Sequence, residues 1–364
     1  MPRIRGAPAR RTHWEVPLET VRLTRAASAH PELRISQDEA ARTLACLTGL
    51  TSGDRRRIDA LARGSHIASR AMALSPRAIL KMRSIGRRNA TYHEHAPALA
   101  AKAARLALGE SASGRIGCLV TSSCTGYSVP GLGVQLSADL ELAPSATRLP
   151  ITEAGCAGGV VAIARATDFV RSHPGSSALT AAVELCSLAF HPGGGEGNLT
   201  SALIFGDGAG AALLEPGPGE GLEIIDSSST LIPDSAHLLG FDLTDAGFYP
   251  LLDRRLGDVL AAAISPAANC LLSRNGLAVS GIGAWLMHPG GARILTQTEH
   301  KLGLTSEHTR WSWDSLHDHG NTSSAAIFDV LSRYLAEPGR RGEHAVVAGF
   351  GPGVSIELAL GRRT

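Results

Sequence analysis

The chain has 364 residues, 44% of them hydrophobic and only 4% aromatic, with a formal charge of +2. A near-balanced charge without a long basic run excludes the footprint of a nucleic-acid binder, and six cysteines without CxxC spacing exclude a disulfide-stapled secreted module, which points to a reducing cytoplasm. The length exceeds one ordinary core, so two domains or a duplicated core are expected, and no run approaches about 18 apolar residues, so no membrane insertion is expected.

Residues 1–17, where Arg3, Arg5, Arg10 and Arg11 alternate with Pro2, Pro8 and Pro17, read as a flexible leader before a first strand near Val21. Ser36 and Glu39 have the spacing of a capping box, opening a helix through Ala41, Leu44 and Leu47 to Gly49. Arg55, Arg56, Arg57, Arg63 and Arg70 form the densest basic patch, read either as a solvated helix face or as an anion site. His95 to Leu108 is amphipathic at helical spacing, and Ile116 to Ser123 reads as a buried strand ending in small polar residues, Ser122 to Gly126. Open α/β sheets build their sites at such strand ends.

The stretch Ile151-Thr-Glu-Ala-Gly-Cys-Ala-Gly-Gly-Val160 follows a short strand, Ala146 to Ile151, and opens a helix whose face carries Val160, Ile163, Ala164, Thr167 and Val170 until Pro174-Gly175. Cys156 therefore sits at a helix mouth, where the macrodipole lowers a thiol pKa, and Gly155, Gly158 and Gly159 clear the space around it for a substrate carbonyl. Taken alone, Cys156 reads rather as a small core cysteine, and it is its setting and partners that reverse this. Further on, Ser201 to Leu214 and Ala345 to Leu358 share one plan, two apolar segments about a Phe-Gly-Xaa-Gly turn at Phe205 and Phe350. Each reads as two buried strands closing one half of the chain. The halves are placed at 18–216 and 222–364, joined at Pro216 to Gly219. Gly206-Asp-Gly-Ala-Gly210 reads as a strand turn rather than a nucleotide loop, because no helix follows it.

The second half supplies His288 at a strand end and Asn321 in a turn opening a helix. Singly these are a core histidine and a helix cap; with Cys156 they make a thiol, an imidazole and an amide, a set suited to thioester chemistry, with two donors for a carbonyl oxygen that gains charge. His300, His308, His317 and His319 lack a fixed ligand spacing and are read as solvated rather than as a metal site.

Gly-Cys-Ala-Gly-Gly (155–159), Phe-Gly-Asp-Gly-Ala (205–209), His-Pro-Gly-Gly (288–291), Gly-Asn-Thr-Ser-Ser-Ala (320–325) and Gly-Phe-Gly-Pro-Gly (349–353) stand in order along the chain. Together they resemble the type III polyketide synthases, the chalcone and stilbene synthase family in its bacterial branch. The resemblance implies an α/β thiolase-like fold of two βαβαβαββ halves in a five-layered αβαβα core, and a homodimer. It implies an acyltransferase that condenses malonyl-CoA onto a starter acyl-CoA held on Cys156, with His288 and Asn321 completing the triad. Phe205 is implied as the guard of the passage. Cys124, Thr125, Cys186, Ala189, Phe248, Tyr249, Pro250 and Ser323 are implied to line the substrate pocket. Arg57, Arg63, Gly290, Gly291 and Arg293 are implied at the CoA entrance, and Gly349, Phe350, Gly351, Pro352 and Gly353 in the loop shaping cyclisation. CoA thioesters are then substrates, and no metal or redox cofactor is implied.

Pro250 stands where the plant enzymes of this family carry an aromatic gate, and Cys124, Cys186 and Ala189 replace small threonines, so an aliphatic starter or malonyl-CoA itself is expected in place of a phenylpropanoid. The alternatives are a ketoacyl synthase of fatty-acid initiation and an inactive binding partner of the same fold. His288-Pro-Gly-Gly291 argues against the first and the intact triad against the second.

Overall fold

The structure, a computed structural model, describes residues 19–46, 50–109, 113–191 and 196–364. The leader expected at 1–17, the helix end expected at Gly49 and most of the glycine-rich loop after His191 lie outside the described residues.

In chain order the first half runs β1 (Val21–Ala29), β2 (Arg34–Ser36), α1 (Gln37–Ala45), α2 (Ser52–Gly64), β3 (Ser69–Ala71), α3 (Pro76–Leu80), α4 (Ile85–Leu108) and β4 (Ile116–Ser122). It continues with α5 (Leu132–Asp139), β5 (Thr147–Ile151), α6 (Gly158–Ser172), β6 (Ser177–Leu185), α7 (Glu196–Ile204) and β7 (Asp207–Pro216). The second half holds β8 (Leu222–Leu231), β9 (Leu239–Thr244), β10 (Gly247–Leu252), α8 (Leu256–Arg274), β11 (Ile282–Met287) and α9 (Ala292–Leu302). It ends with α10 (Ser306–His319), α11 (Ala326–Ala336), β12 (His344–Gly351) and β13 (Ser355–Arg363).

The main strands follow the order β11-β12-β13-β8-β1-β7-β6-β4-β5. Read outward from the centre, β1-β7-β6-β4 and β8-β13-β12-β11 repeat one pattern: two antiparallel pairings, then a parallel one. The repeat is incomplete, because the second half is βαβαββ in this sheet and has no counterpart of β5 among the described residues. The halves meet where Arg22 and Leu23 pair with Glu223 and Leu222.

Four apolar clusters hold the layers together, the smallest of them joining α1, α2 and α7. Val160, Ile163 and Val170 of α6 and Ile327, Phe328 and Leu331 of α11 pack between the inner faces of the two halves of the sheet. The alanine-rich face of α4 covers the outer side of the first half, and α8 with α9 covers the outer side of the second. Helix α8 is long and apolar enough by length and composition to cross a membrane, but it holds no continuous apolar run approaching about 18 residues. Asp258, Ser265, Pro266 and Asn269 interrupt its sequence, and its face of Leu260, Ile264, Ala268 and Leu271 is core.

Several local readings stand and others shift. Ser36 caps α1 by accepting from Glu39 N at 3.1 Å, and α4 begins ten residues before His95, capped by Ser84. Ser201 to Ile204 is the end of α7 and not a strand, so the resemblance between 201–214 and 345–358 is only partly topological: the counterpart of β12 is β6. Both segments are apolar runs of a few residues, where periodicity does not separate a buried strand from a buried helix end.

Candidate active site

Cys156 lies in a single tight turn, Gly155–Ala157, that leads from β5 into α6. Gly155 has φ +49, and a Cβ there would stand 2.6 Å from the ring of Pro352. Beyond it, a Cβ on Gly158 would strike Ser122 Oγ at 2.2 Å, and one on Gly159 would strike Ser324 O at 2.4 Å. The glycines around the nucleophile thus serve mainly to seat its turn against β4, the Asn321 segment and the loop after β12. They were expected to open space for a substrate carbonyl.

His288 follows β11 and is fixed by its N–H donating to Ala348 O at 2.7 Å. The imidazole is buried with neither ring nitrogen hydrogen-bonded. Gly290 folds back so closely that a Cβ there would lie 3.3 Å from His288 Cδ2. Asn321 follows α10; its Oδ1 accepts from Ser323 N at 2.8 Å and its Nδ2 donates to Gly290 O at 3.2 Å. That fixes the amide and leaves one of the two Nδ2 hydrogens uncommitted. Ser323 is held at φ +52, a conformation that a non-glycine residue keeps only where its surroundings enforce it.

Cys156, His288 and Asn321 line one cavity with Phe205, Gly290 and Phe350. Its volume is about 20 Å³, little more than a single water needs. Space opens on both sides. Outward, through Ile204, Leu252, Leu256, Gly290 and Ile294, the cavity meets a mouth of about 410 Å³ that Arg57, Arg254 and Arg293 flank. Inward, past Phe205, lies a cavity of about 60 Å³ walled by Ile35, Leu44, Met72, Ile79, Leu80 and Pro250, with Cys186 and Ala189.

Burial decides the resting charges. The Cys156 thiol is pushed up to about 11 by desolvation, and Glu184 raises it further while the Ser323 hydroxyl and Asn321 amide pull the other way. A helix mouth was expected to favour thiolate, but loss of solvent outweighs that dipole here. Burial likewise pushes His288 down to about 3. The resting pair is therefore thiol and neutral imidazole. Moving the proton from sulfur to imidazole creates two opposite charges in one cavity, where each offsets the other's desolvation.

Behind the nucleophile stands Glu184 at the end of β6, fully buried. Its carboxylate accepts from Ser324 Oγ at 2.5 Å, Thr125 Oγ1 at 2.8 Å and Cys124 N at 3.1 Å, while desolvation raises its pKa against those bonds. Cys124 Sγ reaches to 3.5 Å of the same carboxylate and 3.9 Å of Ser323 Oγ, which in turn lies 3.5 Å from Cys156 Sγ. Cys124, Thr125 and Ser323 were expected on the pocket wall; they form this polar cluster instead. The signal for Glu184 was one acidic residue in a strand otherwise made of apolar residues and the small hydroxyls Ser177 and Thr180.

Other expected residues divide. Arg57, Gly290, Gly291 and Arg293 line the mouth, with Arg293 paired to Asp258 at 3.0 Å. Arg63 does not: Arg57, Leu61 and Gly64 share one face of α2, while Arg63 turns with Asp59 and Ala62 to a separate groove shared with Asp38 and Arg42. Arg70, read with the surface patch, is buried in β3 beside the inner cavity. Phe248 packs edge-on against Phe241, and Tyr249 stacks on His191 with centroids 4.0 Å apart. Of Gly349 to Gly353, only Phe350 reaches the cavity; Pro352 packs on Gly155. Among the histidines weighed for a metal, His308 caps α10 at Thr305 and His317 pairs with Asp318. His319 stacks on His30 beside Asp329, with Arg34 and Arg333 against it.

A half-buried cysteine meeting a buried histidine and asparagine between the halves of a five-layered fold defines a thiolase-like condensing enzyme. Residues 54–218 match the family model of the chalcone and stilbene synthase N-terminal domain, and residues 223–363 match that of the C-terminal domain. A 1,3,6,8-tetrahydroxynaphthalene synthase of Streptomyces griseus is 34% identical over 279 residues, 75% of this chain and 74% of the relative. An alpha-pyrone synthesis polyketide synthase-like protein of Mycobacterium tuberculosis is 31% identical over 354 residues, 92% of this chain and 89% of the relative. The crystal structure of the tetrahydroxynaphthalene synthase of Streptomyces coelicolor A3(2), a bacterial type III polyketide synthase, superposes with a TM-score of 0.88 at 29% identity, covering 94% of this chain and 99% of that one. The chain belongs to the chalcone and stilbene synthase family, and it is a type III polyketide synthase, an enzyme of decarboxylative Claisen condensation.

Proposed function

We propose that Cys156 carries the growing acyl chain, with His288 and Asn321 as the paired donors to the thioester oxygen, and that malonyl-CoA extends an aliphatic starter or malonyl-CoA itself. The observation that carries this reading is the meeting of the three side chains in one cavity, between an arginine-flanked mouth and an apolar inner space.

In the proposed cycle the Cys156 proton passes to His288 and the thiolate attacks the starter carbonyl. The C–S bond to CoA then breaks, and the departing thiolate takes the proton back from His288. Malonyl-CoA next loses CO₂; the electron pair of the broken C–C bond becomes a thioester enolate whose oxygen is held by His288 Nε2–H and Asn321 Nδ2–H. The enolate carbon attacks the acyl carbonyl, the bond to Cys156 Sγ breaks, and the chain returns to CoA two carbons longer. Donors of this kind are each worth about 3–4 kcal/mol of barrier. The reaction so written needs neither a metal nor a redox cofactor, and CoA thioesters are its substrates.

The apolar walls contributed by α1 and α3, with Pro250 in place of an aromatic gate, suit a flexible chain better than a flat ring, and a pyrone, resorcinol or polyhydroxynaphthalene is the product class that follows. A homodimer is the natural state for this chain: β5 is an edge strand, and next to it Tyr127, Val129 and Val134 are 67%, 81% and 50% exposed. A cytoplasmic location fits the free cysteines. The loop from Gly349 to Gly353, through Phe350, shapes closure of the product. The test is mass mapping of the protein after a pulse of starter acyl-CoA, with Cys156→Ala as the control. Acyl mass on Cys156 alone supports the reading; acyl mass on Cys124 or Cys186 overturns it.

A further inference from the structure

The inner cavity beyond Phe205 has apolar walls and one buried cation. Arg70, in β3, is 2% exposed and lines that cavity. Its Nη1 donates to Ala202 O and Phe205 O, both at 2.7 Å, which ties the guanidinium to the end of α7 and to the residue at the gate. Its Nε and Nη2 are buried and have no hydrogen-bond partner. Asp207 is near enough to act on the charge, yet its oxygens are taken by Ala73 N, Ser187 N and Ser187 Oγ.

The two unpartnered atoms form one edge of the guanidinium, and that edge presents Nε–H and one Nη2–H in parallel. This is the fork that meets the two oxygens of a carboxylate. A buried donor without a partner is costly, and a buried cation in an apolar wall calls for an anion or a strong acceptor. Ile35, Leu44, Met72, Ile79 and Leu80 offer apolar surface to methylene groups, and Thr43, Ser187 and Ser201 are the uncharged polar members of the lining.

The geometry points to Arg70 as a specificity-determining residue that receives the far carboxylate of a dicarboxylic acyl chain whose thioester end is on Cys156. This rests on the reading of Cys156 as the acyl carrier. The enzyme then selects starters that are monothioesters of dicarboxylic acids, the acyl chain threading past Phe205 so that its carboxylate caps the Nε/Nη2 fork. No bond is made or broken at Arg70, and the guanidinium stays charged throughout.

Matched thioesters test it. Loading of Cys156 is followed by intact-protein mass with glutaryl-CoA against pentanoyl-CoA, and adipoyl-CoA against hexanoyl-CoA. The wild type should load the carboxylated member of at least one pair tenfold or more faster. In Arg70→Gln and Arg70→Lys that ratio should fall below about threefold. Because each ratio is taken within one variant, it is insensitive to a general loss of activity from weaker support of Phe205. A wild-type ratio near or below one overturns the proposal, and so does a high ratio that both variants retain. Independently of catalysis, free glutarate should raise the melting temperature of the wild type more than valerate does, and not that of Arg70→Gln. Equal effects overturn the Arg70 assignment even if no thioester acylates Cys156, an outcome that would itself sink the acyl-carrier reading.

Discussion

The backbone of Phe205 is paired in parallel with that of Asn321: Gly206 N donates to Asn321 O at 3.0 Å, and Asn321 N donates to Ile204 O at 2.8 Å. Phe205 and Asn321, from opposite halves of the chain, are thus one backbone unit. Gly320 enters this unit at φ +66, and a Cβ there would lie 2.7 Å from Ile204 O and 2.8 Å from Arg70 Cδ. Gly320→Ala is expected to cost about 3 kcal/mol in urea unfolding and to lower kcat more than tenfold, since strain and overlap both fall on the same bridge. A variant with parent stability and kcat would show that the bridge tolerates displacement.

His288 sets an acid limit on stability. Burial brings its folded pKa down to about 3, from the 6.5 of an ordinary imidazole. Below pH 6.5 the unfolded chain takes up a proton that the folded chain refuses, so stability present near neutrality is lost as pH falls towards 3. Two and a half units at pH 4 correspond to about 3 kcal/mol. Urea midpoints at pH 7 and pH 4 should therefore diverge less in His288→Gln than in the parent; an equal divergence would assign the acid sensitivity elsewhere.

Glu184 raises the Cys156 pKa, so its neutralisation should lower it. Glu184→Gln is expected to shift the pH profile of Cys156 alkylation by iodoacetamide downwards. The same substitution puts an NH2 group where one carboxylate oxygen accepts, either from Ser324 or from Thr125 and Cys124, and should cost about 2 kcal/mol of stability. An alkylation profile that moved upward would contradict the electrostatic assignment.

Asn321 should serve decarboxylation as well as condensation, because both steps place charge on a thioester oxygen. Asn321→Ala is expected to slow release of CO₂ from malonyl-CoA by roughly a hundredfold or more. Release at the parent rate with condensation alone impaired would separate the two roles.

Competition kinetics address the inner cavity. Malonyl-CoA or an aliphatic acyl-CoA should surpass 4-coumaroyl-CoA in kcat/KM. A coumaroyl value tenfold above both, about 1.4 kcal/mol in barrier, would show that the walls accept a flat ring after all.

The meeting of Cys156, His288 and Asn321 in one cavity was legible because each stands at a strand or helix end with small neighbours, and strand ends are where chemistry-bearing side chains are exposed to a cavity. What escaped the sequence depends on direction and solvent. Arg57 and Arg63 share a helix and a charge, yet six residues of helical turning send them to different grooves. Arg70 belongs by spacing to a surface patch, but β3 carries it inside. The helix dipole at Cys156 is visible in sequence; the burial that outweighs it is a property of the closed fold. Ser201 to Ile204 misled because a short segment with three apolar residues fits a strand and a helix end equally.

The strand β13 lies between β12 and β8, with Pro352 of the preceding loop pressed on Gly155. The cover of the nucleophile is thus supplied by a part of the chain made long after it. During synthesis the Cys156 turn emerges well before Phe350 and Pro352, and the second half cannot close its sheet until β13 has been inserted in the middle. Until then the thiol lacks the enclosure that holds its proton, so oxidants and stray acyl donors meet it in its most vulnerable condition. A fold that completes the cover of Cys156 last leaves that thiol open to solvent for the interval between the two events.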